Sequence, residues 1–332
     1  MILFIFLFFF IFPKYTFAID NSIVVLMYHR FNQTDLSSTN INTDEFVEQM
    51  SFLKKNNYTV LPLSSLISFF QKKEKLPNKT VFITIDDGYK SVYQYAYPIL
   101  KSFEFPFSVF LSTNFVSNEH NSDFMSWEMI KEMHLDNVEI FNHTSDHESL
   151  LDQNEEEIIE SISNAQDEIK KNLDILPSIF SYPYGENSKK TKFILKKIGF
   201  DLAFTQNSGP ISIYSDQYFL PRFPINSEFG SIERFKMVVN TKPLNIFNFS
   251  PDDTIIKTDD LLIEFTSGYI AQKINCYISN SARIIEIKNH SYQKYLKISG
   301  LEKKKNYRLN CTLVKNKEEV YWFGKTFYVR EN

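Results

Sequence analysis

Between residue 22 and about residue 225, short β-branched or aromatic runs alternate with segments whose apolar residues recur every three to four positions. That alternation predicts an α/β layer or barrel. Strands are expected at 23–27, 58–61, 81–85, 108–111, 138–141 and 179–182, with shorter ones at 202–204 and 218–220. Helices fall between them. Phe46, Met50 and Leu53 share one helical face; Ile158, Ile162, Ala165, Ile169 and Leu173 make a longer stripe, preceded by Asn154 and Glu157 at capping-box spacing.

After about residue 240 the pattern changes. It passes through Pro243 and Ser250-Pro251-Asp252-Asp253 into segments of period two at 261–265, 274–278, 284–287, 307–314 and 321–329. These predict a separate small all-β sandwich over 241–332. The stretch from Leu301 to Tyr307, followed by Leu309 and Cys311, resembles the tyrosine corner of fibronectin type III and immunoglobulin-like domains.

At 332 residues and 43% hydrophobic, the chain is long enough for about two units. Ile2 to Phe12 is uninterruptedly apolar and Thr16-Phe17-Ala18 supplies small residues, so 1–18 reads as a signal peptide, leaving a catalytic unit over 19–240. The leader lacks an early Lys or Arg, so an uncleaved anchor is the alternative. Either way the folded part is expected to be exported, to the periplasm, the cell surface or the medium, with association with the cell envelope in view. A net charge of −4 offers no general basic surface, and no nucleic-acid partner is expected. Cys276 and Cys311 are an even pair in an exported chain, open to a disulfide or to two buried thiols.

The candidate chemistry sits at strand ends. Val81-Phe82-Ile83-Thr84-Ile85 reads as a buried strand and runs straight into Asp86-Asp87-Gly88, where one acid can hold a metal while the other handles a proton. His143 and His147 follow the 138–141 strand and can face one point if the segment turns helical. One carboxylate and two imidazoles make a three-ligand site with open positions. Tyr182-Pro183-Tyr184-Gly185 closes another strand, and its turn can aim the Tyr184 amide at an oxyanion. Met27-Tyr28-His29-Arg30 ends the first strand on the same rim.

Thr84-Ile85-Asp86-Asp87-Gly88, His143-Thr144-x-x-His147-x-x-Leu150 and Tyr182-Pro183-Tyr184-Gly185 resemble, in order and spacing, three motifs of the polysaccharide deacetylase (NodB-homology) family of metal-dependent carbohydrate esterases. Met125-Ser126-Trp127 and Leu220-Pro221-Arg222 extend the resemblance, which covers about 22–225. The opening Leu26-Met27-Tyr28-His29-Arg30 is similar to a permuted branch that includes poly-β-1,6-N-acetylglucosamine deacetylases.

The resemblance implies a distorted (β/α) barrel, with Asp87, His143 and His147 holding a divalent metal, zinc first, with iron or cobalt as alternatives. Asp86 is then the base, His29 the acid and the Tyr184 amide an oxyanion donor. Tyr89, Tyr182 and Tyr184 are expected to line the groove. The implied substrate is an N-acetylated polysaccharide; peptidoglycan and chitooligosaccharide are alternatives, as is an inactive glycan-binding module. One departure stands out. The third motif usually begins with an arginine that orients the catalytic aspartate, and Ser181 stands there instead. Arg222, grouped with the substrate-side residues, is the candidate to supply that guanidinium to Asp86.

Overall fold

A computed structural model describes residues 22–33, 36–116, 122–316 and 319–331. The leader expected at 1–18 lies outside the described residues. Among the described residues no helix is long and apolar enough to cross a membrane.

Eight parallel strands form the first sheet: β1 (Ile23–Tyr28), β2 (Thr59–Val60), β3 (Thr80–Ile85), β4 (Ser108–Leu111), β5 (Glu139–Asn142), β6 (Ile179–Ser181), β7 (Leu202–Phe204) and β8 (Phe223–Pro224). Their order is β8-β1-β3-β4-β5-β6-β7, with β2 also against β3. A bridge from Phe204 to Leu220, just before β8, draws the two edges toward each other, giving a distorted, incompletely closed (β/α) barrel. The period-two alternation of strands explains its two apolar layers. Ile23, Val25, Phe82, Phe110, Phe141 and Phe204 share one buried cluster; Val24, Leu26, Val81, Ile83, Val109 and Ile140 share another, together with Phe46, Met50 and Leu53 of helix Thr43–Lys55.

Helix Glu155–Leu173 begins with a full capping box: Asn154 Oδ1 accepts from the Glu157 amide at 3.0 Å, and Glu157 Oε2 accepts from the Asn154 amide at 2.8 Å. The strand expected at 218–220 reduces to the single bridge at Leu220, and that expected at 58–61 to the two-residue β2. Short β8, with its proline, gave no periodic signal.

Among its described residues the C-terminal part is all β, with one short 3-10 turn at Ala271–Lys273, and has its own core around Ile263, Phe265, Leu296, Tyr307 and Phe327. One sheet contains Asn275–Ile278, Lys305–Asn316 and Glu319–Val329; the other contains Ile246–Ser250, Leu261–Ser267, Gln293–Ser299 and Arg283–His290. The Tyr307 hydroxyl accepts from the Glu302 amide at 2.7 Å, the bond that defines a tyrosine corner. Cys276 and Cys311 face each other across an antiparallel ladder and are joined as a disulfide.

This β-unit packs tightly on the barrel. Trp322 meets Phe223 edge-on at 5.6 Å, Thr326 donates to Asn207 Oδ1 at 2.8 Å, and Arg330 and Tyr328 both hold Asp152 at 3.0 Å. A Cβ on Gly324 would lie 2.3 Å from the Ser208 carbonyl oxygen, so the two backbones meet only because that position is glycine.

Candidate active site

Asp86 and Asp87 follow β3, His143 follows β5, Tyr182 and Tyr184 follow β6, and His29 follows β1. All stand at carboxyl ends of parallel strands, where a barrel's loops converge. The backbone there is unusual: Asp87 (φ 75°), Thr144 (67°), His147 (58°) and Tyr184 (57°) all take the left-handed conformation. Such residues cost roughly 1–3 kcal/mol each and persist where surrounding structure enforces them, commonly at functional sites. The His143–His147 segment is not helical. Asn142 Oδ1 accepts from the Thr144 amide at 2.8 Å and Thr144 Oγ1 from the His147 amide at 3.0 Å, so a side-chain-braced loop brings the imidazoles together instead.

Asp87 Oδ1 lies 3.3 Å from His143 Nε2 and 3.2 Å from His147 Nε2. One ligand atom from each of the three residues lies within 4.8 Å of the others. His143 Nδ1 is 2.7 Å from the Ser181 carbonyl. A carbonyl only accepts, so Nδ1 carries the proton and Nε2 presents its lone pair to the cluster. Asp87 Oδ1 and His143 Nε2 are shut off from solvent without a hydrogen bond. Two imidazole nitrogens and a carboxylate oxygen, with buried atoms left unpaired, fit a divalent cation such as zinc.

Asp86 is held quite differently. Arg222 Nη1 donates to its Oδ1 and Nη2 to its Oδ2, both at 2.7 Å, with neither side chain exposed. The other guanidinium hydrogens go to Ser181 Oγ (2.8 Å), Thr84 Oγ1 (3.2 Å) and the Thr205 carbonyl (3.1 Å). All five donors are used. Burial would raise the Asp86 carboxyl, but Arg222, His143 and His29 together hold it below its ordinary value. The small Ser181 leaves room for an arginine arriving from before β8 and accepts one of its hydrogens.

Arg222 is therefore a partner of Asp86 and does not face substrate. A second correction concerns Tyr182, expected in the groove: it is wholly buried, with Phe180 at 5.3 Å. Alternation along β6 turns Ser181 inward to Arg222, so Phe180 and Tyr182 both point into the helical layer. Tyr184 is 52% exposed and stands edge-on to His147 at 4.6 Å. Tyr89 is half-buried, tilted against Phe124 at 4.6 Å and lying under the Arg30 guanidinium, 3.5 Å from the ring centre. The His29 imidazole is lowered mainly by burial, with Asp87 and Asp86 opposing the shift. Thr84 and Arg30 lie within the motifs read from the sequence but were given no role there, and Thr205 had no signal.

The fold and the rim together define a barrel with an Asp-His-His triad of metal-ligand type beside an arginine-clamped acid. Residues 73–203 match the family profile described as polysaccharide deacetylase. The chain is 27% identical over 234 residues to the poly-beta-1,6-N-acetyl-D-glucosamine N-deacetylase of Staphylococcus aureus (strain MRSA252), covering 63% of this chain and 80% of that protein. The solved structure of IcaB from Ammonifex degensii matches with a TM-score of 0.57 at 28% identity, covering 63% of this chain and 94% of that one. In fold, the Streptococcus pyogenes deacetylase PplD, solved with acetate, is similar at a TM-score of 0.61 and 23% identity, covering 66% and 98%. Over its barrel the chain is similar to polysaccharide deacetylases, and residues 73–203 match that family's domain.

Proposed function

We propose that this protein is a metal-dependent N-deacetylase that removes acetyl groups from N-acetylhexosamine units of an exported polysaccharide, poly-β-1,6-N-acetylglucosamine being the leading substrate. The observation that carries the reading is the division of labour between neighbouring acids: Asp87 beside two imidazoles, Asp86 in the Arg222 fork.

Asp87, His143 and His147 are the residues that would hold the cation. Bound there, it supplies Lewis acidity that polarises the acetamide carbonyl and acidifies water. Asp86, kept ionised and fixed in direction by Arg222, takes a proton from the attacking water. The Tyr184 amide donates to the oxygen that gains charge as the carbonyl becomes tetrahedral. His29 then gives a proton to the amine nitrogen as the C–N bond breaks. Acetate and a free amino sugar result, one water being consumed for each acetyl group. The exposed Tyr184 and half-buried Tyr89 flank the rim as faces for pyranose rings. A polymer outside the cytoplasm agrees with 1–18 acting as an export signal.

Acetate release from poly-β-1,6-N-acetylglucosamine, peptidoglycan and chitooligosaccharides, with and without a chelator, tests the reading. Release from the first polymer that stops with chelator and returns with zinc is expected. Release from none of the three sinks it.

A further inference from the structure

Arg30 stands on the catalytic rim, and the proposed reaction does not use it. It follows His29 directly, and its guanidinium carbon lies 3.5 Å from the centre of the Tyr89 ring, two residues past Asp87. The side chain therefore reaches from the end of β1 across to the loop after β3.

Its position is fixed from several directions. The Arg30 amide donates to the Thr39 carbonyl at 3.0 Å and Nη1 donates to Gln33 Oε1 at 3.2 Å. Beneath the guanidinium, Tyr89 is tilted against Phe124, which stacks on Phe115 at 4.8 Å. A guanidinium laid on an aromatic face is held there while its in-plane N–H groups stay free to donate. Nε is shut off from solvent without an acceptor and so meets no ligand. Nη2 has no acceptor among the described residues and is not shut off, which makes it the donor open to substrate. The charge is open too. Asp86 is matched by Arg222 and Asp87 faces two imidazoles, whereas Arg30 has no carboxylate partner among the described residues.

Deacetylation turns a neutral acetamide, which offers a carbonyl oxygen, into an amine that takes up a proton near neutral pH. A chain lying across the rim therefore brings neighbours of two kinds. The acetamide oxygen accepts from an arginine N–H; an ammonium has no acceptor and carries the same charge. We infer that Arg30 is a specificity-determining residue that reads the sugar next to the one being cleaved, its Nη2 donating to the carbonyl of a still-acetylated neighbour and its charge repelling a neighbour already deacetylated. This rests on the glycan reading above and deepens it: acetyl groups come off where the adjoining unit keeps its own, so the free amines are spaced out along the polymer.

Two β-1,6-linked tetramers test it at about pH 6.5, where a sugar amine is protonated: one fully N-acetylated, one in which acetamide and free-amine units alternate. In an Asp86→Asn background, which stops turnover, calorimetric titration is expected to show the fully acetylated tetramer binding about tenfold more tightly. Adding Arg30→Met should weaken that tetramer about tenfold, the loss of a hydrogen bond from a charged donor, and should tighten the alternating one. Damage to the fold would weaken both. Arg30→Lys keeps the charge and should leave the alternating tetramer weak. With Asp86 native, kcat/KM for the two tetramers should shift in the same opposite directions on Arg30→Met. Equal affinities in the Asp86→Asn protein, or Arg30→Met moving both tetramers the same way, overturns the inference. Acetate release without an Arg30-dependent preference overturns this inference alone; the preference in binding without acetate release from any polymer overturns the catalytic reading alone.

Discussion

Arg222 and Asp86, 136 residues apart in sequence, meet as a buried two-pronged pair, each nitrogen 2.7 Å from its oxygen. The inactive-module alternative drew its strength from Ser181 standing where an arginine is usual. A guanidinium nevertheless reaches the aspartate, from the segment just before β8. Removing one member of a buried pair leaves the other charge uncompensated, at a cost of about 3–5 kcal/mol. Arg222→Ala is therefore expected to lower stability by that order in denaturant melts and to reduce kcat by at least tenfold. Arg222→Lys should rescue little, because an ammonium cannot fork. Unchanged turnover in Arg222→Ala would end the positioning role.

The two acids have different neighbours, so their variants should fail differently. Asp86→Asn removes the base but leaves Asp87, His143 and His147 in place, and should bind zinc with near-native stoichiometry while losing about 10²–10⁴-fold in kcat. His143→Ala removes a donor atom and should lose both metal and activity. Metal content by atomic emission, measured beside acetate release, separates the outcomes. Equal metal retention in the two variants would refute the split.

What the chain disclosed in advance follows from how local each feature is. The β-branched run ending in Asp86-Asp87-Gly88 declares a buried strand and its rim within eight residues. The convergence of His143 with His147 was legible, but its cause was not: left-handed Thr144 and His147 bend the loop where a helical turn was expected. Tyr182 went astray because the phase of a three-residue strand cannot be fixed without knowing that Ser181 faces Arg222. In the β-unit, Gln293–Ser299 escaped notice because Lys294 occupies an inward position, 2% exposed beside Leu296 and Ile298, and so masks the alternation. Its ammonium is satisfied by the Ala271 carbonyl and Asn289 Oδ1 at 3.1 and 2.8 Å, a compensation visible only in three dimensions.

The disulfide closes a separation of 35 residues wholly within the C-terminal unit. Loop-closure entropy gives such a link about 3–4 kcal/mol. Reduction, or a Cys276→Ser/Cys311→Ser double variant, should shift the unfolding midpoint of the β-unit by a corresponding amount. Because the rim residues lie in a separate core, acetate release under native conditions should change by less than about twofold. A comparable loss of activity would show that the β-unit's internal stability is coupled to the rim.

Lys325 provides a pH test of the domain junction. Burial lowers its ammonium to about 8 from the ordinary 10.5, with Asp252, Asp253 and Asp216 opposing the shift. Below about pH 8 both folded and unfolded chains carry the proton, and the folded state bears the cost of a partly buried charge. Between about 8 and 10.5 the unfolded chain still binds the proton while the folded one has released it, so this group makes stability rise with pH across that window. Melting temperatures at steps from pH 7.5 to 10.5 should contain that rise, superposed on the titration of other lysines and tyrosines. Lys325→Met removes the titrating group and should flatten the curve relative to the parent over the same interval. Parallel curves for the two proteins would mean that the Lys325 ammonium is as well solvated in the folded chain as in the unfolded one, and the junction would then have to be looser than the close approach of Gly324 to Ser208 implies.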